Sequence, residues 1–270
     1  MNKKVIRNLS VFMSEGKGLK PIVFIHGFPY DHNMWQAQIE ELSKNYFCVS
    51  YDIRGLGDSP AGDGQFTMES FVDDLETIVD EMNLDKPVLC GLSMGGYISL
   101  RAMERMQNKF SALILCDTKS TADDNEGKLK RSAAIKLINT GKFYDFIEAF
   151  VLNCFGEKFI RENNADYRKI VDRSKGNNPA GVKGCLLAMA GRTDITESLA
   201  QIKIPTLVIC GSEDKLSPPD VMKFMAEKIP NSKFILIENS GHMSPVENPS
   251  RVNKAIRDFL TENKAQFKKT

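Results

Sequence analysis

Ser93 stands in "PVLCGLSMGGYISL", where a very apolar run breaks off and another begins almost at once. A serine adds little to an ordinary turn, whose crowded positions favour Asn, Asp, Pro or Gly. At the tip of a sharp strand–turn–helix elbow, however, its hydroxyl is held out for nucleophilic attack, provided that small residues two before and two after let strand and helix pack together. Gly91 and Gly95 meet that need, and Gly96 eases the start of the helix. Gly-x-Ser-x-Gly alone is weak, since about 7% glycine and serine give roughly 0.1 chance matches in a chain of this length. The strand-like run before it and the helical "MGGYISLRAMERM" after it make Ser93 a candidate nucleophile.

A serine hydroxyl attacks poorly unless a base takes its proton. The chain has three histidines, His26, His32 and His242. His242, in "NSGHMSPVENP", falls after the last strand-like run and before the last helical pattern, on the sheet edge that presents Ser93, and is the candidate base. His26, in "FIHGF", reads as a hydrogen-bonded scaffold residue, and His32 lies in polar "YDHNMW". The base in turn needs a carboxylate to fix its tautomer and stabilise the imidazolium. Asp214, in "VICGSEDKLSPP", is the first choice. Asp117, closing "LILCDT" on the same edge, is the competitor; its other expected role is to cap the helices that follow.

Such a set works only if strands and helices deliver it to one edge. The runs at 21–27, 46–52, 87–91, 111–118, 205–211 and 233–238 are rich in Val, Ile, Leu and Phe without polar alternation. That is the pattern of strands buried on both faces of a parallel sheet. Between them, Phe71, Leu75, Ile78, Val79 and Met82 form one helical stripe, and Val252, Ala255, Ile256, Phe259 and Leu260 form another;. Asn248-Pro249 reads as an N-cap and first-turn pair, and Ser217-Pro218 as a second;. The alternation predicts an α/β fold with a mostly parallel central sheet. From 119 to 200 no strand-like run occurs, and Phe143, Phe146, Ile147, Phe150 and Val151 make a further helical stripe. The expected organisation is a core of 1–118 and 201–270 with an all-helical cap inserted at 119–200.

Composition narrows the function classes. Hydrophobic residues make up 42% and charged residues 26%, which disfavours disorder;. Thirty-six basic against 35 acidic side chains leave a net charge of +1, with no electrostatic footprint for nucleic acid or an anionic membrane;. No run approaches the roughly 20 apolar residues of a spanning helix. The opening "MNKKVIRNLSVFMSEGKG" does not read as a signal peptide, and "KAQFKKT" reads as a solvated C-terminus;. Four of the six cysteines sit in apolar strand-like runs and none has C-x-x-C spacing, so neither a metal nor a redox motif is expected and a cytoplasmic setting is;.

In combination, strand-"HGF", "DIRGLGDS", "GLSMGG", "GSEDKLSPP" and "GHMSPVENP" resemble the α/β-hydrolase superfamily, in the order nucleophile, acid, histidine, over about residues 20–262. Within it the chain is most similar to small bacterial carboxylesterases and 3-oxoadipate enol-lactonases, including the "CDTKSTAD" segment. The resemblance implies a Ser93–Asp214–His242 triad and an oxyanion hole from the backbone N–H groups of Phe28 and Met94. The Met94 N–H would open the helix after the elbow, where free donors favour negative charge. Asp52 and Arg54 of "DIRGLGDS" are expected to anchor loops, while Trp35 and Met243 are candidate pocket residues. The expected activity is cofactor-free hydrolysis of a small ester or lactone through an acyl-enzyme. The alternatives are a C–C bond hydrolase, a thioesterase, a perhydrolase, or a slow-turnover ligand sensor of the same fold.

Overall fold

Six of the apolar runs form the parallel body of one eight-stranded sheet, ordered β1-β2-β4-β3-β5-β6-β7-β8. A computed structural model describes residues 1–16 and 19–264, so the tail 265–270 lies outside the described residues. The parallel strands are β3 (Pro21–Ile25), β4 (Phe47–Tyr51), β5 (Val88–Leu92), β6 (Ala112–Cys116), β7 (Thr206–Gly211) and β8 (Ser232–Ile237). Every residue of β3 to β7 is buried, as strands covered on both faces require;. Only β8, at the sheet's edge, is half exposed.

The other edge is an antiparallel hairpin of β1 (Asn2–Ile6) and β2 (Leu9–Met13), with β2 also antiparallel to β4. Its turn holds Arg7 and Asn8 at φ 44° and 74°. "NKKVI" of β1 is exposed except at Ile6, and a polar edge strand gives little hydrophobic signal;.

Helices α1 (Gln36–Leu42), α2 (Met68–Glu81), α3 (Met94–Met106), α9 (Pro219–Lys228), α10 (Ser244–Glu247) and α11 (Pro249–Glu262) accompany the sheet. α2 forms where the apolar stripe is preceded by a capping box, in which Thr67 and Ser70 satisfy each other's backbone N–H;. It buries Phe71, Leu75 and Ile78 completely or nearly so, about 1.5–3 kcal/mol for each such side chain;. Asn248 caps α11 as expected, its side chain accepting from the Arg251 N–H. Ser217 does not cap α9: that helix opens one residue later on Pro219. The Ser217 N–H is instead drawn back to Asp214 Oδ1 at 3.0 Å.

Between β6 and β7 the chain builds α4 (Asn125–Asn139), α5 (Phe143–Leu152), α6 (Glu157–Glu162), α7 (Asn164–Lys175) and α8 (Pro179–Ala190), with no strand. α4 packs on α8 and α5 on α7, so these helices cover one another as well as the sheet's loops. Among the described residues no helix is long and apolar enough to cross a membrane. All six cysteines are free and buried.

Candidate active site

The C-terminal ends of four neighbouring strands carry the candidate residues. Ser93 follows β5, Asp117 follows β6, Asp214 lies just past β7, and His242 lies past β8. Loops at the carboxyl ends of a parallel sheet are where such a fold leaves room for a ligand.

Ser93 has φ 52° and ψ −113°, a left-handed conformation uncommon for a residue with a side chain;. The surroundings hold it there. A Cβ on Gly91 would run into the Gly95 carbonyl, and one on Gly95 into the carbonyls of Ile25 and His26 on the neighbouring strand's end. The Ser93 N–H donates to the Cys116 carbonyl at 3.1 Å, and the Thr118 hydroxyl donates to the Ser93 carbonyl at 2.8 Å. Met94 is the first residue of α3, so its N–H has no intrahelical carbonyl to meet;. On the turn after β3, Phe28 is roofed by the apolar stripe of α5, with ring centroids 5.1 Å from Phe150 and 6.4 Å from Phe146.

His242 is 3% exposed, and its Nδ1 lies 2.8 Å from Asp214 Oδ2. Because a carboxylate can only accept, Nδ1 carries the proton, and Nε2 is the ring nitrogen that Asp214 leaves unengaged;. The other Asp214 oxygen accepts from the N–H groups of Leu216 and Ser217 at 2.8 and 3.0 Å, which fixes the carboxylate plane. Of the two acids considered, Asp214 is the one bonded to the imidazole.

Asp117 does something else, and it does not cap the helices that follow. The N-cap of α4 is Asp124. Asp117, fully buried at φ 45°, accepts from the Gly211 N–H at 2.8 Å and from the Ser244 hydroxyl at 2.6 Å. It ties the end of β7 to the loop carrying His242. Burial, and then the neighbouring Asp214 charge, push its carboxyl well above the usual carboxylate range. Sequence order placed this residue on the correct edge, but only tertiary contact with Ser244 reveals its role.

Asp117, Asp214 and Cys210 are the one group among the described residues with ligand atoms close enough to share a metal ion. Their chemistry does not suit one. Each of the four carboxylate oxygens already accepts a protein hydrogen bond. Burial also pushes the Cys210 thiol far up, away from the thiolate that metals bind;.

The remaining histidines are scaffold. His26 Nε2 accepts from the Ile53 N–H at 2.9 Å and Nδ1 bonds the Gly27 carbonyl at 2.9 Å, so both nitrogens are used. Burial lowers its pKa and keeps the ring neutral;. His32 Nδ1 donates to Asp52 Oδ1 at 2.8 Å, and Asp52 Oδ2 accepts from the Asp58 N–H, closing the "DIRGLGDS" turn. Arg54 pairs with Asp74 of α2 at 2.6 Å.

Trp35, a candidate pocket residue, packs into the core. It is fully buried, with its ring 5.2 Å from Phe24 of β3. Met243 floors a cleft of about 490 Å³ between α1, α7 and α10, walled by Pro29, Tyr30, Phe159, Ile170 and Val246. That cleft adjoins Phe28 and His242 through their chain neighbours but is not lined by Ser93.

Comparison with known proteins bears on the family and the fold. A family model described as "alpha/beta hydrolase fold" matches residues 20–249. The chain is similar to 3-oxoadipate enol-lactonase 1 of Acinetobacter baylyi, 29% identical over 94% of this chain and 93% of that one. A non-heme chloroperoxidase of Kitasatospora aureofaciens is 30% identical over 92% and 94% of the two chains. Among solved structures, a thermophilic esterase from Thermogutta terrifontis with malate bound is 34% identical, with a TM-score of 0.91 over 97% of this chain and 99% of that one.

Proposed function

The chain belongs to the α/β-hydrolase family, and from that membership we propose that it is a serine hydrolase cleaving a small carboxylic ester or lactone. The observation that carries this reading is the 2.8 Å bond from His242 Nδ1 to Asp214 Oδ2, which engages Nδ1 and leaves Nε2 for the proton of Ser93, held on its elbow at the same edge of the sheet.

In this mechanism Nε2 takes the Ser93 proton as Oγ bonds to the substrate carbonyl carbon. The Phe28 and Met94 N–H groups stabilise the oxyanion, each worth about 2.7–4 kcal/mol in related holes. Asp214 steadies the imidazolium. The tetrahedral adduct then breaks its C–O bond, and the leaving alkoxide takes the proton from Nε2. For a lactone that alkoxide stays tethered to the acyl chain. Water, deprotonated by Nε2, attacks the acyl-enzyme, and the acid leaves as Ser93 recovers its proton. Helices α4 to α8 act as the cap, with Phe146 and Phe150 pressed onto the oxyanion turn to exclude bulk water;.

A substrate bearing a second, free carboxylate fits the surroundings. The guanidinium of Arg192 lies 4.2 Å over the ring of Tyr97, one turn along the nucleophile's helix. Arg192 and Arg131 share the single carboxylate of Asp123. Lys119 stands beside them, its ammonium pushed to lower pKa by burial and by the Arg192 charge. Asp123, Asp124 and Asp194 offset these three cations, but Lys119 makes no ion pair with a carboxylate among the described residues, and such a lysine suits an anionic acyl group, as do the oxoadipate and malate in the names of similar proteins.

The chloroperoxidase similarity favours one second reading, in which hydrogen peroxide replaces water in attacking the acyl-enzyme. Turnover of a panel of p-nitrophenyl esters, half-esters of dicarboxylic acids, lactones and acyl thioesters tests the first reading. Peroxide-dependent peracid formation exceeding hydrolysis would favour the second.

A further inference from the structure

The loop carrying His242 is held by a residue of "GHMSPVENP" to which the sequence reading gives no role. Glu247 closes the short helix α10, five positions after the histidine. Its Oε1 accepts from the N–H groups of Gly241 and Met243 at 2.9 and 3.1 Å, the two residues that flank His242. Its Oε2 accepts from the Gly156 N–H at 2.8 Å, in the segment joining α5 to α6. The His242 N–H completes the set by donating to the Cys154 carbonyl of that same segment at 2.8 Å.

Three consecutive N–H groups of the histidine loop are therefore fixed from one side, two by Glu247 and one by Cys154. The approach is close enough to need glycine on both strands of the contact. A Cβ on Gly241 would lie 2.7 Å from the Gly156 nitrogen, and one on Gly156 would lie 3.0 Å from Glu247 Oε2. Burying a carboxylate is unfavourable without hydrogen bonds to its charged form, and burial does push the Glu247 carboxyl above its ordinary range against the pull of these three donors;. A leucine or glutamine would avoid that burden, so the carboxylate is here for its two-sided acceptance.

We propose that Glu247 is a positioning residue that clamps the His242 loop to the 154–156 segment, so that the imidazole takes its working orientation only while that part of the helical insertion is seated. The inference rests on the reading of His242 as the base. A histidine displaced by about 1 Å can lose on the order of 10²-fold in rate without loss of substrate binding.

The test changes the clamping carboxylate in two ways. Glu247→Gln keeps the size but presents an amide N–H to one donor set. Glu247→Asp keeps the charge but shortens the reach, so that it cannot span both the histidine loop and the Gly156 N–H. With p-nitrophenyl acetate, each variant should lower kcat roughly 10- to 100-fold while KM changes less than about threefold. The low-field NMR line of the His242 Nδ1 proton should broaden in both. Unchanged kcat with a lowered Tm in the variants would make Glu247 merely structural and overturn the proposal, as would a rise in KM alone. Should either variant fail to fold, the other still decides. His242→Gln run alongside separates the two failures: full activity there would overturn the base assignment and the clamp with it.

Discussion

The Ser244 hydroxyl donates to Asp117 Oδ2 at 2.6 Å, two residues beyond His242 and 127 positions from its partner. Asp117 thereby braces the histidine loop without touching the imidazole, which belongs to Asp214. Asp117→Asn should therefore lower kcat tenfold or less. The amide resembles the protonated acid that burial favours. An unfolded aspartate ionises near 4, and the folded one only at higher pH, so the wild type is progressively destabilised between those two values as pH rises. The Tm of Asp117→Asn, relative to wild type, should climb as pH rises from 4 to 7. A constant difference across that range would mean that Asp117 ionises as it does in the unfolded chain.

Asp214→Asn should keep the fold and cut kcat heavily. An amide can donate to Nδ1 and favour the wrong tautomer, and it cannot stabilise an imidazolium. In serine-protease triads that substitution loses on the order of 10⁴. Melting curves run beside the kinetics separate lost chemistry from lost folding. If Asp117→Asn were the crippling change and Asp214→Asn stayed active, the acid would lie after β6.

His26 bears on acid stability. Its ring is kept neutral by burial, its folded pKa lying below the unfolded value of about 6.5;. The unfolded chain then binds a proton that the folded one refuses, so stability present above about pH 6.5 is lost as pH falls toward the folded pKa. His26→Gln should lower Tm at pH 7, because its side chain replaces two good hydrogen bonds imperfectly, yet flatten the decline between pH 6.5 and 5. Parallel declines in wild type and variant would place the titrating group elsewhere.

The proposed preference for an acidic acyl group is measured by comparing monomethyl succinate with methyl butyrate. Lys119→Met should lower kcat/KM for the half-ester by about tenfold, near the 1.4 kcal/mol of a modest charge-assisted contact, and leave the neutral ester within about twofold. Equal losses on both esters would exclude a role in charge recognition.

How far the sequence could be read follows from which interactions are local. "PIVFI" and "ALILC" announce buried parallel strands because every residue faces a hydrophobic layer. Ser93 was readable because glycines at 91 and 95 serve an approach between elements only a few residues apart. The β1–β2 hairpin was not, since its outer strand is polar and its turn relies on left-handed Arg7 and Asn8 instead of a glycine. Trp35 is read as a pocket candidate, and its packing against Phe24, a partner distant in sequence, carries no local signal. Ser217-Pro218 had the composition of a cap, but Asp214 claims the Ser217 N–H and the helix starts one residue on. Glu247 and Asp117 act across 91 and 127 positions, and no periodicity or motif carries such pairings.

The central claim is that Ser93 is an activated nucleophile, and active-site-directed labelling measures that most directly. A fluorophosphonate reacts fast only with a serine whose proton a neighbouring base can take. Mass spectrometry of the labelled, digested protein should find one modified residue, Ser93, with labelling abolished in Ser93→Ala and strongly slowed in His242→Gln. Modification at another serine, or equal labelling of Ser93→Ala, would contradict the account.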